Sequence, residues 1–511
     1  MDWTDGYAAD TEYTSHYFSE LAPPHLDLIA LMAGVLPPER EGGRFRYCEL
    51  GCGNGMSTSL LAACHPNAKF LGIDFMPVHV ANARRAAKAG GLTNVEFLEM
   101  SFADACRQDF QPFDYIVAHG VYSWITAQNR AEMVEFFRRF LAPGGLVYLS
   151  YNTYPGWLPI APLQKLVSEH AKTLTGPSTK RVLAAFEFAG NLLGKGALAL
   201  AGSPATKAQL EKAPSMAPNY LAQEYLNEAW YPLYVTDVMR EVSAAKLEYV
   251  TSATMAENDM RYLVSDELAA IIRGQPSEEL RQLVKDICIN ARFRRDIYTR
   301  GGRRLSGQDQ RQMLGERIVG LARAAEVIEY SVEYSGRKIA FDTPIGRAMV
   351  QALRAGPLSI GEIAQAAKAQ GATDGLRSAL EMTVALCVGN QALPLDPPGP
   401  VPEAMNLSLV ARAMEDTACN ALATGRGAAL PVAPLEMALL SNPESLTSVE
   451  AGVRGLKEIA QRKGRMFNRK GVPLKDPAEI DAFLAEEVKG VLTNRGPTLR
   501  QFGLLSTGAA A

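Results

Sequence analysis

The sequence predicts a mixed α/β protein organised on a doubly wound parallel sheet, with largely helical units after it. Three observations predict this. Short β-rich runs alternate with helix-compatible segments from Phe45 to Asn152, and a glycine-rich loop stands directly after the first run. The length of 511 residues also exceeds the roughly 250 to 300 over which one core grows, so two or three domains are expected. With 47% hydrophobic and 21% charged residues, the composition is that of a globular protein and excludes a disordered or fibrous chain.

The strands read in order as FRYCELG, KFLGID, VEFLEM, FDYIVAH and GLVYLSYN. Each is a short apolar run followed by a segment long enough for a crossover, the pattern of strands covered on both faces of a parallel sheet. After Trp157 the text becomes Ala/Leu-rich and helical, ending in GSPATKAQLEKAPSMAPN from Gly202 to Asn219, which reads as a linker or mobile loop. Val235 to Thr254 reads as a helix and then a strand that closes the same sheet. Leu280, Val284, Ile287 and Ala291 share one helical face behind Ser277 as N-cap, which predicts a small helical domain. Helices over Pro344–Arg354, Ile360–Ala369 and Thr373–Val388, then GNQALPL and DPPGPVP, outline a C-terminal winged-helix-like α+β domain.

Charge and cysteine usage narrow the partners. The formal net charge is -3, so the chain as a whole makes no electrostatic case for nucleic acid or an anionic membrane. The winged-helix-like stretch, Phe341 to Pro400, carries four basic against five acidic residues and reads as a protein-docking module, not a DNA reader. Arg292, Arg294, Arg295, Arg300, Arg303 and Arg304 form the sharpest basic cluster, read as a helix end and loop that pair with acids of neighbouring domains, with a site for phosphate or an acidic partner as the alternative. Seven scattered cysteines suggest free thiols in a reducing compartment. The first basic residue is Arg40, the reverse of a signal peptide's positive start, and no apolar run reaches bilayer length. A cytoplasmic protein without membrane insertion is expected. No His/Cys/Asp cluster has ligand spacing, so no metal is expected.

The most informative stretch is Glu49-Leu-Gly-Cys-Gly-Asn-Gly55, between the first strand and the helix starting near Met56. A dinucleotide fingerprint would need GxGxxG, but position 56 is Met. The pattern ExGxGxG instead suits a nucleoside without pyrophosphate. Asp74 ends the second strand 19 residues beyond Gly55, where a carboxylate can accept both ribose hydroxyls.

ELGCGNG, GID at the second strand's end, SFAD after the third and LAPGGLVYLS leading into the fifth together resemble the class I S-adenosylmethionine-dependent methyltransferases, with a Rossmann-like sheet. The resemblance implies S-adenosyl-L-methionine as cofactor. It also implies that Gly51, Gly53 and Gly55 approach the methionine part, Asp74 takes the ribose, and Ser101 with Phe102 flank the adenine; Glu49, Cys52, Phe75, His119 and Gly120 complete the cofactor set. A narrower likeness rests on GYAADTEYTSHYFSELAP, AHGVYSW, SYNTYPGW, YLAQEYLNEAWYPLYVTDV and RRDIYTRGG. These resemble a bacterial family that joins such a core to a methyltransferase regulatory domain and a winged-helix-like domain, and that includes protein lysine methyltransferases acting on rickettsial outer-membrane proteins. The expected boundaries are 1–160 for an N-terminal lid and the methyltransferase core, 161–230 for a helical insertion and linker, and 231–335 for the sheet-closing segment and middle domain. The winged-helix-like domain then covers 336–505, with 506–511 as a tail.

Methyl transfer from a sulfonium needs positioning, desolvation and a deprotonated nucleophile more than elaborate machinery. A doubly wound sheet places its substrate after the fourth and fifth strands. The candidate catalytic residues there are His119, Tyr122, Trp124 and Asn152. Candidate substrate-binding residues are Tyr13, Tyr17, Tyr122, Ser123, Trp124, Tyr151, Asn152, Tyr154 and Trp157, whose aromatic rings suit a cationic acceptor. HGVYSW replaces the Asn/Asp-Pro-Pro-Tyr of enzymes that methylate planar base or glutamine nitrogens. Tyr7, Tyr13, Tyr17 and Phe18 read either as a lid whose neighbouring acids favour a cationic substrate or as part of an acidic solvated flank. A protein lysine is the expected acceptor, with a small-molecule methyltransferase and a cofactor-sensing regulator as alternatives. A core that needs less than half the chain favours a large substrate.

Overall fold

In the sheet, side chains of successive residues alternate between two cores, and that alternation positions everything else. The computed structural model describes residue 10 and residues 16–415, 419–469 and 472–505. Strands β1 (Arg46–Leu50), β2 (Lys69–Asp74), β3 (Val95–Glu99), β4 (Phe113–Ala118), β5 (Leu141–Asn152), β6 (Glu248–Ser252) and β7 (Phe293–Thr299) form one sheet in the order β3-β2-β1-β4-β5-β7-β6. The first five pair in parallel, and β7 runs antiparallel between β5 and β6. Cys48, Leu50, Ile116 and Ala118 face one core while Tyr47, Tyr115 and Val117 face the other, as the period of two in a strand requires.

Helices α1 (Pro23–Met32), α2 (Met56–Cys64), α3 (Pro77–Ala89), α4 (Phe102–Cys106) and α5 (Ala127–Phe140) surround these strands. The insertion after β5 is helical, with α6 (Ala161–Lys172), α7 (Ser178–Gly194), α8 (Leu198–Ala201), α9 (Pro204–Lys212) and α10 (Pro218–Leu226) around their own core of Trp157, Leu163, Phe186, Leu221 and Tyr225. The stretch expected as a linker therefore holds α9 and the start of α10, whose prolines occupy first-turn positions that have no amide bond to lose. α11 (Val235–Ser243) and β6 form as read from Val235 onward, and α12 (Asp266–Arg273) and α13 (Glu278–Ile289) make up the middle helices, with Ser277 capping α13.

The strand β7 was not foreseen. Its residues FRRDIYT carry three charges, which argue against a central strand, but Arg294 and Asp296 are 1% and 0% exposed and pair with each other. Of the basic cluster, Arg294 reaches Asp286 and Asp296, Arg295 reaches Glu20 at 3.5 Å, and Arg304 donates to the Ala33 carbonyl at 3.3 Å.

Beyond β7 come α14 (Gly307–Glu316), β8 (Ile318–Leu321), the hairpin of β9 (Ser331–Tyr334) and β10 (Arg337–Ala340), then α15 (Pro344–Ala352), β11 (Leu358–Ser359), α16 (Ile360–Ala369), α17 (Gly375–Val388) and β12 (Ala392–Leu395). The three expected helices are present, and β11-β8-β12 make an antiparallel sheet that draws β8 from before residue 336. Among the described residues no strand after β12 pairs with it to form a wing. The next strands, β13 (Ala421–Ala423) and β14 (Ala429–Pro431), pair with each other. All seven cysteines are free, and no described helix is long and apolar enough to cross a membrane.

Residues Pro23 to Leu31 of α1 are all buried, so this helix is a core element shared by the sheet and the C-terminal part. It carries Asp27, 1% exposed, which accepts from Tyr115 at 2.7 Å and pairs with Arg40 at 2.8 Å. Arg40 also forks onto both oxygens of Asp396 at 2.6 and 2.7 Å. Arg40→Ala leaves a buried carboxylate without its cation and should cost about 3 kcal/mol. Urea unfolding at pH 7 will show this as a lowered midpoint.

Candidate active site

The carboxyl ends of β1 to β4 open into one cavity of about 280 Å³. Its floor is the glycine loop. Gly51 has φ +69°, and a Cβ there would stand 2.4 Å from Val121 Cγ2; Gly55 has φ +68°, and its Cβ would meet the Phe97 ring at 2.6 Å. Only glycine allows both the left-handed backbone and these approaches. The two positions nevertheless serve different purposes: Gly51 and Gly53 line the cavity, whereas Gly55 seats α2 against α3 and β3.

Asp74 anchors the β2 side. Its Oδ2 accepts from the Gly53 amide at 2.8 Å, and its Oδ1 accepts from the Met76 amide at 2.9 Å and from His79 Nδ1 at 3.3 Å. His79 Nε2 is buried, lacks a partner and belongs to a residue lining the cavity. With Nδ1–H donating to Asp74, Nε2 is an acceptor, as a hydroxyl-bearing ligand needs. Phe75, Met100, Ser101 and Phe102 continue this wall, with the Ser101 hydroxyl capping α4 by accepting from the Asp104 amide at 3.1 Å. An acid with an orphaned imidazole nitrogen beside it, next to apolar and aromatic surface, fits the ribose and adenine of S-adenosylmethionine.

His119, Gly120 and Trp124 also line the cavity. His119 is not a free base. Its Nδ1 lies 2.8 Å from the Tyr148 hydroxyl, the Phe18 ring sits on it at 3.8 Å, and burial, helped by Arg295, pushes its pKa down to about 3. The Gly120 amide is committed to Ser150 Oγ at 2.7 Å.

Several other expected site residues lie away from the cavity lining. Glu49 is buried under the loop, accepts from the Thr58 hydroxyl, and has its pKa raised to about 7 by burial. Cys52 packs with Val80, Ala83 and Phe97. Tyr122 is fully buried, donates to Glu241 at 2.6 Å and lies under Arg130. Ser123 Oγ accepts from the Asn152 amide at 2.6 Å, splicing the post-β4 loop to β5. Tyr151 donates to Asp296 at 2.6 Å. Tyr154 packs on Tyr234, and Trp157 packs on Trp230 beneath Arg292. Tyr17 is 3% exposed and accepts from the Ala429 amide at 3.2 Å, so it joins the N-terminal segment to β14; its neighbour Phe18 is the one that reaches the site. Asp10 accepts from the Ser178 amide at 2.8 Å at the start of α7. Tyr7, Glu12 and Tyr13 lie outside the described residues. These hydroxyls and rings are consumed by distant segments that meet them only in the fold. Tyr122→Phe should therefore leave methyl transfer within about threefold and lower stability by about 1 kcal/mol, read by parallel activity and melting measurements.

The wall that the sequence did not disclose comes from α10. Tyr220, Gln223, Glu224 and Asn227 all line the cavity. Their spacing of i, i+3, i+4 and i+7 puts them on one helical face, so a polar stripe in YLAQEYLNEAW was the available signal. Glu224 Oε1 is buried without a partner, and burial raises the carboxyl's pKa to about 7 against the opposing pull of Arg292, Tyr220 and Asn152. Among the described residues lining the cavity, Asp74 and Glu224 are acidic and none is Lys or Arg.

Comparison with known proteins agrees with this geometry. Residues 48–147 match a family described as a methyltransferase domain, and residues 217–300 match one described as a predicted methyltransferase regulatory domain. α10 thus falls within the second match. An uncharacterized protein of Synechocystis, sll1526, is 36% identical over 377 residues, covering 73% of this chain and 74% of that one. RP789 of Rickettsia prowazekii, also uncharacterized, is 30% identical over 292 residues, covering 56% of this chain and 51% of its own length. The structure of PKMT2 from Rickettsia typhi in complex with AdoHcy superposes with a TM-score of 0.68 at 17% identity, covering 96% of this chain and 99% of that one.

Proposed function

The chain belongs to the class I S-adenosylmethionine-dependent methyltransferases that carry a methyltransferase regulatory domain, and from that premise we propose that it methylates a lysine side-chain amine of a protein substrate. The observation that carries the proposal is the charge of the cavity wall: two carboxylates, several aromatic rings and no described cation. Such a wall favours a positively charged guest in both halves. An acceptor bearing a carboxylate or phosphate would meet Glu224 with no Lys or Arg in the described lining, since Arg292, the cation that acts on Glu224, lies outside that lining.

S-adenosylmethionine, when bound, supplies an electrophilic methyl group. This chain's residues do the rest. Asp74 and His79 offer acceptors to the ribose hydroxyls, Phe102 and Met100 offer apolar surface to the adenine, and the Gly51–Gly53 backbone leaves room for the methionine part. Trp124 and Tyr220 present rings to the acceptor half, where each cation–π contact contributes about 0.5 to 2 kcal/mol. α10 covers one side of the cavity, and water that a bound acceptor displaces beneath it would strengthen each of these attractions. The chain outside the core gives a large substrate something to rest on, and the match over nearly the whole length of PKMT2 supports a function that uses the added units.

The reading is tested by tritiated-methyl transfer into a fractionated bacterial lysate, followed by acid hydrolysis of the protein fraction. Label recovered as methyllysine is the expected result. Label confined to small molecules would overturn it.

A further inference from the structure

We propose that Glu224 is the proton acceptor for the amine that receives the methyl group, with Tyr220 and Asn152 as the residues that position its carboxylate. The inference rests on the lysine reading above and deepens it by naming the base.

A lysine side chain arrives as an ammonium and has no lone pair to give. One proton must leave before the nitrogen can attack. Among the described residues, four groups lining the cavity are candidates by type: Asp74, His79, His119 and Glu224. His79 has a buried Nε2 without a partner, but its Nδ1 lies on Asp74, which places the ring at the β2 end with the ribose acceptors. Asp74 has both oxygens engaged by the Gly53 and Met76 amides and by His79. His119 is held by the Tyr148 hydroxyl, covered by Phe18 and kept neutral with little affinity for a proton. Glu224 differs from Asp74 and His119 in having a buried oxygen, Oε1, that no group satisfies, and from His79 in lying beside Asn152 at the end of β5 and not beside Asp74. A buried carboxylate oxygen without a donor is costly unless a ligand completes it, and a primary ammonium is a three-donor cation suited to do so.

Placement agrees. Asn152 ends β5 and its amide lies beside the Glu224 carboxylate, so Glu224 stands at the β4–β5 end of the cavity, the acceptor end, remote in the sheet order from Asp74 on β2. Asn152 was expected from sequence as a catalytic residue; its amide is here a neighbour of the base. Four groups face the carboxylate: Tyr220 and Tyr225 from its own helix, Asn152 from β5, and Arg292 from the turn before β7.

The step balances within the known reactants. Glu224 takes one proton from the ε-ammonium and becomes a neutral carboxyl, leaving a neutral amine with a lone pair. That pair forms the new N–C bond as the S–C bond of the methyl donor breaks and its electrons return to sulfur. The positive charge passes from sulfur to nitrogen, and the methylammonium product and the carboxyl proton exchange with solvent on release.

A group whose pKa burial has raised to about 7 is protonated and unable to accept below neutrality. Wild-type kcat/KM for methyllysine formation in lysate protein should therefore rise about tenfold per pH unit up to about pH 7 and then level off. Glu224→Gln should lose about 100-fold at pH 7, show no inflection there, and recover toward wild type by pH 9 to 10 as lysine loses its own proton. Calorimetric binding of S-adenosylhomocysteine should stay within about threefold. A second readout needs no turnover. Because the folded pKa lies above that of the unfolded chain, wild-type stability falls as pH rises through about 7, so Glu224→Gln should melt higher than wild type at pH 8 and not at pH 4.

Methyllysine formation by Glu224→Gln within threefold of wild type at pH 7, or an equal loss at every pH, would overturn the role of Glu224 while leaving the lysine reading intact. Wild-type label in small molecules alone would overturn both.

Discussion

Titration of Asp74→Ala with S-adenosylhomocysteine is expected to find affinity reduced about 100-fold or more. The carboxylate is 8% exposed and has two structural tasks besides any contact to ligand. Its Oδ2 holds the Gly53 amide and its Oδ1 holds the Met76 amide, so it fixes the glycine loop to the start of α3. It also orients His79 so that Nε2 presents an acceptor. Hydrogen bonds to a charged group contribute about 1.5 to 3 kcal/mol each. Losing the ribose contacts together with the loop geometry should remove about 3 kcal/mol of binding, which is a little over a hundredfold. Asp74→Asn separates the two tasks. It can keep one amide bond through its carbonyl oxygen but loses the charge, so it should fall between wild type and alanine. Wild-type affinity in Asp74→Ala would remove this residue from the cofactor site.

The part of the molecule that the sequence disclosed is the part in which neighbours in sequence are neighbours in space. Leu50, the glycine loop and Met56 follow one another along strand, turn and helix, and Asp74 ends the adjacent strand; local chemistry and register were enough to assemble them. The failures share an opposite cause. Tyr122, Tyr151 and Trp157 were read as acceptor-site rings because they follow the right strands, yet Glu241, Asp296 and Arg292, more than a hundred residues away, claim their hydroxyls or faces. β7 stayed hidden because Arg294 and Asp296 look like surface residues until each is given the other as partner. α10 lay in plain view as a family-like block, but nothing local says that a helix from outside the core turns its polar stripe toward the glycine loop. The acids near the N-terminus from which a cationic guest was expected do not line the cavity; the acids that do, Asp74 and Glu224, come from β2 and α10.

Arg294→Ala should be the most destabilising single exchange away from the cavity, at about 3 to 5 kcal/mol at pH 7. The guanidinium is 1% exposed, pairs with Asp296 and Asp286, and donates to Gln282 Oε1 at 3.0 Å. Asp296 in turn accepts from Tyr151 at 2.6 Å and Tyr298 at 3.3 Å. Removing the arginine strands two buried carboxylates, with buried Lys285 as the remaining cation nearby. Asp286 already has its pKa lifted to about 6 by burial against the pull of Arg294, so in the variant it will hold its proton to higher pH still. The sign follows: the ionised acid is the disfavoured form in the folded state, so the variant's deficit should be largest near pH 8 and shrink toward pH 5, as melting curves at the two pH values will show. Function should follow stability here, because the same cluster ties α13 to β7 and β7 pairs with β5 from Leu146 to Asn152. A variant that loses the arginine and both acids together, with apolar residues of similar volume in their places, should regain most of the stability. If it does not, the network contributes through attraction that an apolar core cannot replace, and the anchoring of α13 to the sheet depends on charge itself.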